Sequence, residues 1–161
     1  MGRYAYKITP FTKAIQSYDS SFYKARVYEG NRWIKVAKTT EKILEDSCFA
    51  NKSTLNGRRD YARKLLNVTY KVPIPIIPHL GVFMFPIITK RNKQCYWIAL
   101  DLIERYEKLE PDTVRIQFRD GTFLHLDTSL DTFQKQYQRT AQLKIMMNRP
   151  SYYDELDPLF D

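Results

Sequence analysis

Three groups of residues in this 161-residue chain have the types and spacing to do chemistry with phosphate. The first is Lys52, Arg58, Arg59, Arg63 and Lys64. The second is the run Lys90, Arg91 and Lys93, and the third is Lys135, Gln138, Arg139 and Gln142. Guanidinium and ammonium groups donate charge-assisted hydrogen bonds to phosphate oxygens, which position a protein on nucleic acid without reading its sequence. The side-chain amides of Gln138 and Gln142 can also bond to base edges. The chain holds 26 Lys+Arg against 18 Asp+Glu, a net charge of +8. Four of the acids (Asp154, Glu155, Asp157 and Asp161) fall in residues 151–161, which contain no base, so residues 1–150 hold +12. A field of that size attracts a polyanion: DNA, RNA or an anionic membrane surface.

Catalytic chemistry finds no comparable support. The five glycines are not spaced as G-x-G-x-x-G or G-x-x-x-x-G-K-[ST], and there is no G-x-S-x-G elbow. Cys95 could meet His79 or His125 as a nucleophile–base pair, but such a lone pairing needs two residues to coincide. Cys48 and Cys95 are too few for a disulfide framework and read as reduced, buried small hydrophobes, as Trp97 reads as core. His79 and His125 lie far apart, and no C-x-x-C or H-x-x-x-H spacing seeds a metal site. Glu104/Glu107 and Glu45/Asp46 sit in charged segments and read as solvated. The chain is therefore expected to be no enzyme and to need no metal or cofactor.

The longest apolar stretch, around residues 73–88, is broken by prolines and His79, well short of the roughly 18 residues a spanning helix requires. The N-terminus has no signal-like apolar run. A cytoplasmic protein without a membrane partner is expected. Length and 43% hydrophobic residues suit one domain, residues 1–150, followed by an acidic tail, residues 151–161.

The elements that must position the basic groups follow from periodicity. Residues 23–28 and 33–36 alternate around Glu29-Gly30-Asn31 and predict a β-hairpin. Residues 40–47 predict a short helix capped by Thr40, with Ile43 and Leu44 inward. Residues 53–66 predict a second helix capped by Ser53 or Thr54. At about 100° per residue, Leu55, Tyr61, Ala62, Leu65 and Leu66 share one side, opposite Arg59, Arg63 and Lys64, with Arg58 at the edge. Pro73, Pro75 and Pro78 make residues 70–77 an edge strand or an extended connection. Residues 82–88 read as a buried strand stopped or bulged at Pro86, and residues 95–103 as another strand leading into a charged segment. Residues 114–118 and 122–126 flank Arg119-Asp120-Gly121 as a hairpin. A long last helix runs from Ser129 or Asp131 to about Met147, with Phe133, Tyr137, Ala141 and Ile145 as its core stripe and Lys135, Gln138, Arg139 and Gln142 opposite. The fold class is α+β: a largely antiparallel sheet with a middle helix and a long C-terminal helix.

Several short stretches recur in a telling order: Ser47-Cys48, Gly57-Arg58, Tyr70-Lys71-Val72-Pro73-Ile74, Phe83-Met84-Phe85-Pro86, Gln94-Cys95-Tyr96-Trp97-Ile98, then Phe133 and Arg139-Thr140-Ala141. Over roughly residues 33–147 this order and spacing resembles the ComK competence transcription factors of Gram-positive bacteria. The resemblance implies an activator of DNA-uptake genes that binds short A·T-rich boxes of double-stranded DNA, largely through the minor groove. It also implies a homo-oligomer on DNA, with RNA polymerase as a candidate further partner. A narrow minor groove needs cations to enter it and amides to read its acceptors. Arg58, Arg59, Arg63 and Lys64 supply the former, the Gln138/Arg139/Gln142 face both, and Lys90, Arg91 and Lys93 phosphate contacts. The longer C-terminal extension of better-known members is a handle for proteolysis, and the acidic segment here has a different character, so the resemblance leaves proteolytic control open. The alternative from another class is an RNA-binding or protein-interaction module using the aromatic and basic N-terminal region.

Overall fold

Strand alternation divides the buried residues between the two faces of one large sheet. The computed structural model describes residues 2–149, in the order β1 (Gly2–Arg3), β2 (Thr12–Ser17), β3 (Ala25–Glu29), β4 (Arg32–Val36), α1 (Thr40–Ala50), α2 (Leu55–Leu66), β5 (Ile74–Ile77), β6 (Val82–Ile88), β7 (Cys95–Ala99), β8 (Ile103–Glu110), β9 (Thr113–Phe118), β10 (Phe123–Leu126) and α3 (Leu130–Met147). The large sheet runs β1-β4-β3-β2-β7-β6-β5 and is antiparallel except for β1 beside β4. The small antiparallel sheet runs β10-β9-β8. The fold is thus α+β with antiparallel sheets, a middle helical region and a C-terminal helix. The acidic segment 151–161 lies outside the described residues.

One face of the large sheet, with Ile15, Val27, Ile34, Met84 and Trp97, is covered by Ile43, Leu44 and Cys48 of α1. The other face, with Ala14, Phe83, Phe85, Ile87 and Ile98, is covered by Val114, Ile116 and Phe118 of the small sheet and by Phe133 and Leu143 of α3. α2 serves both, placing Leu55 in the first core and Ala62 in the second. Burial of a large aliphatic or aromatic side chain contributes on the order of 1.5–3 kcal/mol, so these two cores fix where every basic element lies.

Several expectations need correction. α1 is capped by Thr39, whose hydroxyl accepts the Lys42 N–H, and it continues to Ala50. β6 runs through Pro86 to Ile88. β5 pairs no further along β6 than Met84, and the Pro86 carbonyl points to that vacated edge, where it accepts from Gln136 Nε2 at 2.9 Å. Within a strand residue, N and C=O face the same side, so the missing N–H of Pro86 removes no ladder bond. β7 ends at Ala99 in a 3₁₀ turn, and the charged segment beyond it is strand β8. Its charges do not break the strand because only Ile103 is buried and most of the strand faces solvent.

The stripe on α3 is also rotated. Steps of four residues drift by about 40° each, which carries Ile145 roughly 120° away from Phe133. Ile145 is 69% exposed, whereas Phe133, Gln136, Thr140 and Leu143, spaced by three and four, are buried.

Candidate nucleic-acid interface

α2 begins where Thr54 Oγ1 accepts the Gly57 N–H at 2.9 Å. A Cβ at residue 57 would meet that same oxygen, so a glycine fits the first turn despite its low helix propensity. The helix ends at Asn67 in the left-handed conformation (φ 53), and both Asn67 and Val68 donate backbone N–H groups to the Arg63 carbonyl. A short loop then leads to β5, and within it Lys71 is held at φ 51. A non-glycine residue there costs on the order of 1 kcal/mol and persists only when the surroundings enforce it.

Those surroundings are two side chains of α3. Gln136 Nε2 bridges the Lys71 carbonyl (3.0 Å) and the Pro86 carbonyl (2.9 Å). Arg139 Nη1 donates to the Tyr70 carbonyl at 3.1 Å and to Gln136 Oε1 at 3.0 Å, with the Lys71 carbonyl at 3.5 Å. Between loop and helix lies an open groove of about 410 Å³ whose lining includes Asn67, Tyr70, Lys71, Lys135 and Arg139.

This junction sets the end of α2, which carries part of the first basic group, beside the third group on α3. Lys64, on the last turn of α2, is exposed, and no described carboxylate pairs with it or with Lys71. Arg63 pairs with Asp60 (3.1 Å) and Arg59 with Glu41 of α1 (3.5 Å). Arg58 and Arg59 sit near the buried Cys48 and draw its thiol pKa down, but burial outweighs them and pushes it up. Lys52 is exposed in the α1–α2 turn at φ 63. On α3, Lys135 pairs with Asp131 one turn earlier (3.1 Å), and Gln138 and Gln142 are exposed. Arg139 is half-buried, and every acceptor it meets is neutral.

The second group forms the β6–β7 loop. Lys90 pairs with Asp112 (2.7 Å), Arg91 lies 4.0 Å from Asp127, and Lys93 is exposed at φ 52. The Lys90 N–H also donates to the Asp127 carbonyl, tying this loop to the chain just ahead of α3. It shares no polar contact with α2.

Sequence reasoning quotes Tyr70 and Lys71 only within a family-like stretch and assigns neither them nor Gln136 to the site. One signal was available: neither residues 61–100 nor residues 132–149 contain a single Asp or Glu. The α2 end, the loop and most of α3 therefore carry cations on an acid-free stretch of chain.

The N-terminal region is arranged differently. Arg26 lies over the Trp33 ring (4.1 Å), Lys38 over Tyr4 (4.7 Å) and Lys35 over Tyr18 (5.4 Å). These rings are engaged by the chain's own cations. Among the described residues, no group of three or more His, Cys, Asp or Glu side chains is placed to hold a metal, and no helix is long and apolar enough to cross a membrane.

A match to the family described as ComK protein spans residues 3–151. The chain belongs to that family. A competence transcription factor of Bacillus subtilis (strain 168) is 28% identical over 116 residues, 72% of this chain and 58% of the relative. The chain thus matches less than two thirds of that relative's length. No solved structure matches it significantly. The stretches that carry the likeness to ComK divide by role in the fold. Phe83 to Pro86 lie in β6 and Cys95 to Ile98 in β7, at the centre of both cores, whereas Tyr70 to Pro73 form the loop that Arg139 and Gln136 hold.

Proposed function

We propose that this ComK-family chain is a transcription factor that binds double-stranded DNA through the surface built from the end of α2, the loop before β5 and α3. The observation that supports this most is the junction at Arg139. There Lys71 and Arg139 line one groove with no described carboxylate paired to either, beside the exposed amides of Gln138 and Gln142, and Lys64 is exposed on the adjoining last turn of α2. Neutral hydrogen-bond partners hold the Arg139 guanidinium in place but leave its charge available to a phosphate.

On this reading the protein prefers A·T-rich boxes, entering their narrow minor groove with cations while amides meet its acceptors. Arg58, Arg59 and Arg63 extend the basic surface along α2 and Lys52 extends it into the α1–α2 turn, and Lys90, Arg91 and Lys93 add phosphate contacts at the β6–β7 loop. It acts as a homo-oligomer and activator of competence genes, with RNA polymerase as a partner. The alternative surface, for RNA or a protein partner, is the N-terminal aromatic region, where Phe11 and Phe22 are exposed.

Titration of the full chain against A·T-rich duplex, G·C-rich duplex and single-stranded RNA at several salt concentrations tests the reading. A·T-rich duplex should bind tightest, with affinity falling steeply as salt rises. Equal affinity for all three would overturn it.

A further inference from the structure

The DNA reading accounts for the cations of the α2–α3 junction but not for the aromatic ring at its tip. Tyr70 is 71% exposed, yet its backbone is held from a neighbouring helix. Its own carbonyl is held by Arg139 and the next by Gln136. The loop leaves α2 through the left-handed cap at Asn67 and enters β5 through buried Val72 and Pro73, and Lys71 is kept at positive φ. A surface tyrosine that merely tolerated solvent would need none of this bracing.

Its surroundings define what the ring can meet. Lys71 Nζ lies 5.5 Å from the ring centroid, and Lys135 and Arg139 line the adjoining groove. A ring presented among cations suits a polyanion that also offers flat π surfaces, which is a nucleic acid with its bases. Tyr4 also stands exposed beside a cation, Lys38 at 4.7 Å, but no described helix side chain holds its backbone carbonyl as Arg139 holds that of Tyr70. Phe11 lines a pocket that includes Glu29 and Asp120, and Phe123 is covered by Arg115. A wedge that unstacks a base step must resist the restoring force of the stack, and a backbone fixed from a neighbouring helix provides that resistance.

We propose that Tyr70 is a base-contacting wedge: its ring stacks on a base step of the bound duplex, and Arg139 and Gln136 are positioning residues that hold it there. This rests on the DNA reading above.

The test uses the full chain with A·T-rich duplexes carrying 2-aminopurine at successive positions, followed by anisotropy for affinity and fluorescence for unstacking. Wild-type protein should raise the fluorescence at one or two adjacent positions. Tyr70→Ala should bind tenfold or more weakly and abolish that rise at saturation, while Tyr70→Phe keeps both. Unfolding midpoints of both variants should equal the wild-type value, because the ring is exposed. A Tyr70→Ala variant with wild-type affinity and an unchanged rise would overturn the wedge, as would wild-type binding with no rise at any position. In both cases the DNA reading would survive. Absence of duplex binding by the wild-type chain would overturn that reading first, and the wedge with it.

Discussion

Lys13 and Arg139 each bridge separate elements of this chain, and they are satisfied in opposite ways. Lys13 of β2 is 2% exposed and links the large sheet to the small one. Its ammonium donates to Asp120 Oδ2 (2.8 Å), Thr122 Oγ1 (2.7 Å) and the Gly30 carbonyl, and lies 4.1 Å from the centroid of the Tyr28 ring. Three donors meet three acceptors, and one of these is a carboxylate. A charge withdrawn from water this far requires such a partner. Arg139 links α3 to the loop before β5, but its acceptors are two carbonyls and an amide oxygen. The first junction cancels its charge internally, and the second orients a charge and leaves it uncancelled. Cations of the first kind serve folding, and those of the second are free to serve an external anion.

Removal of Lys13 should have the largest effect. Lys13→Met should lower unfolding stability by about 2–3 kcal/mol, the partial exposure of Asp120 keeping the loss below that of a fully buried pair. The folded fraction should bind duplex with wild-type affinity. Urea unfolding and anisotropy read the two quantities, and a stable Lys13→Met variant with weakened binding would invert the comparison.

Arg139→Ala should do the reverse. Duplex affinity should fall by about 1–2 kcal/mol, roughly fivefold to thirtyfold, with about 1 kcal/mol or less lost from stability. Unchanged affinity in a folded variant would remove this junction from the interface.

Acid sharpens the contrast between the two sites. Burial opposes ionisation of Asp120, but hydrogen bonds from Lys13 and Thr122, with the Lys13 charge, outweigh it and hold its pKa at about 2, against 3.8 ordinarily. A carboxyl depressed on folding adds stability above its unfolded pKa and loses it as pH falls, here between about 4 and 2. Asp120→Asn should show a shallower loss in that window by urea unfolding. An identical pH profile would show that the Lys13 junction does not depend on the carboxylate.

The smallest effects concern single exposed lysines. Lys64→Ala should reduce the slope of log affinity against log salt by about 1. Lys135→Ala should change it less, because Asp131 already partners that ammonium. A larger change at Lys135 would place the α3 face, rather than the α2 end, against the phosphates.

Local chemistry made much of the fold legible in the residues. Gly30 and Gly121, both at positive φ, sit in the turns of the two hairpins expected around them. Thr54 caps α2, and Pro75 in β5, flanked by Pro73 and Pro78, marks a sheet edge that packs on α2. What stayed hidden depended on distant partners. β8 looks like a solvated charged run because its strand character comes from pairing with β9. The true face of α3 includes Gln136 and Thr140, whose polarity argues against burial until the Lys71 and Pro86 carbonyls and the helix's own backbone are known as partners. The basic groups were visible, but the placing of the α2 end beside the third was not. Arg139 meets a carbonyl 69 positions away, and no spacing rule reports that.

The seam between β2 and β7 has a consequence for biosynthesis. Among the described strands it is the one pairing that joins the β1–β4 half of the large sheet to the β5–β7 half, through Ala14↔Ile98, Ile15↔Trp97 and Gln16↔Tyr96. At roughly 5–20 residues per second on the ribosome, the intervening chain of about 80 residues takes on the order of 4–16 s to emerge. Throughout that interval β2 is an open edge available to neighbouring nascent chains. Lys13 sits on that strand with Asp120 not yet made, and its lone ammonium disfavours pairing with a stranger. The residue that later locks two sheets together is thus an unpaired charge on that edge until Asp120 is made.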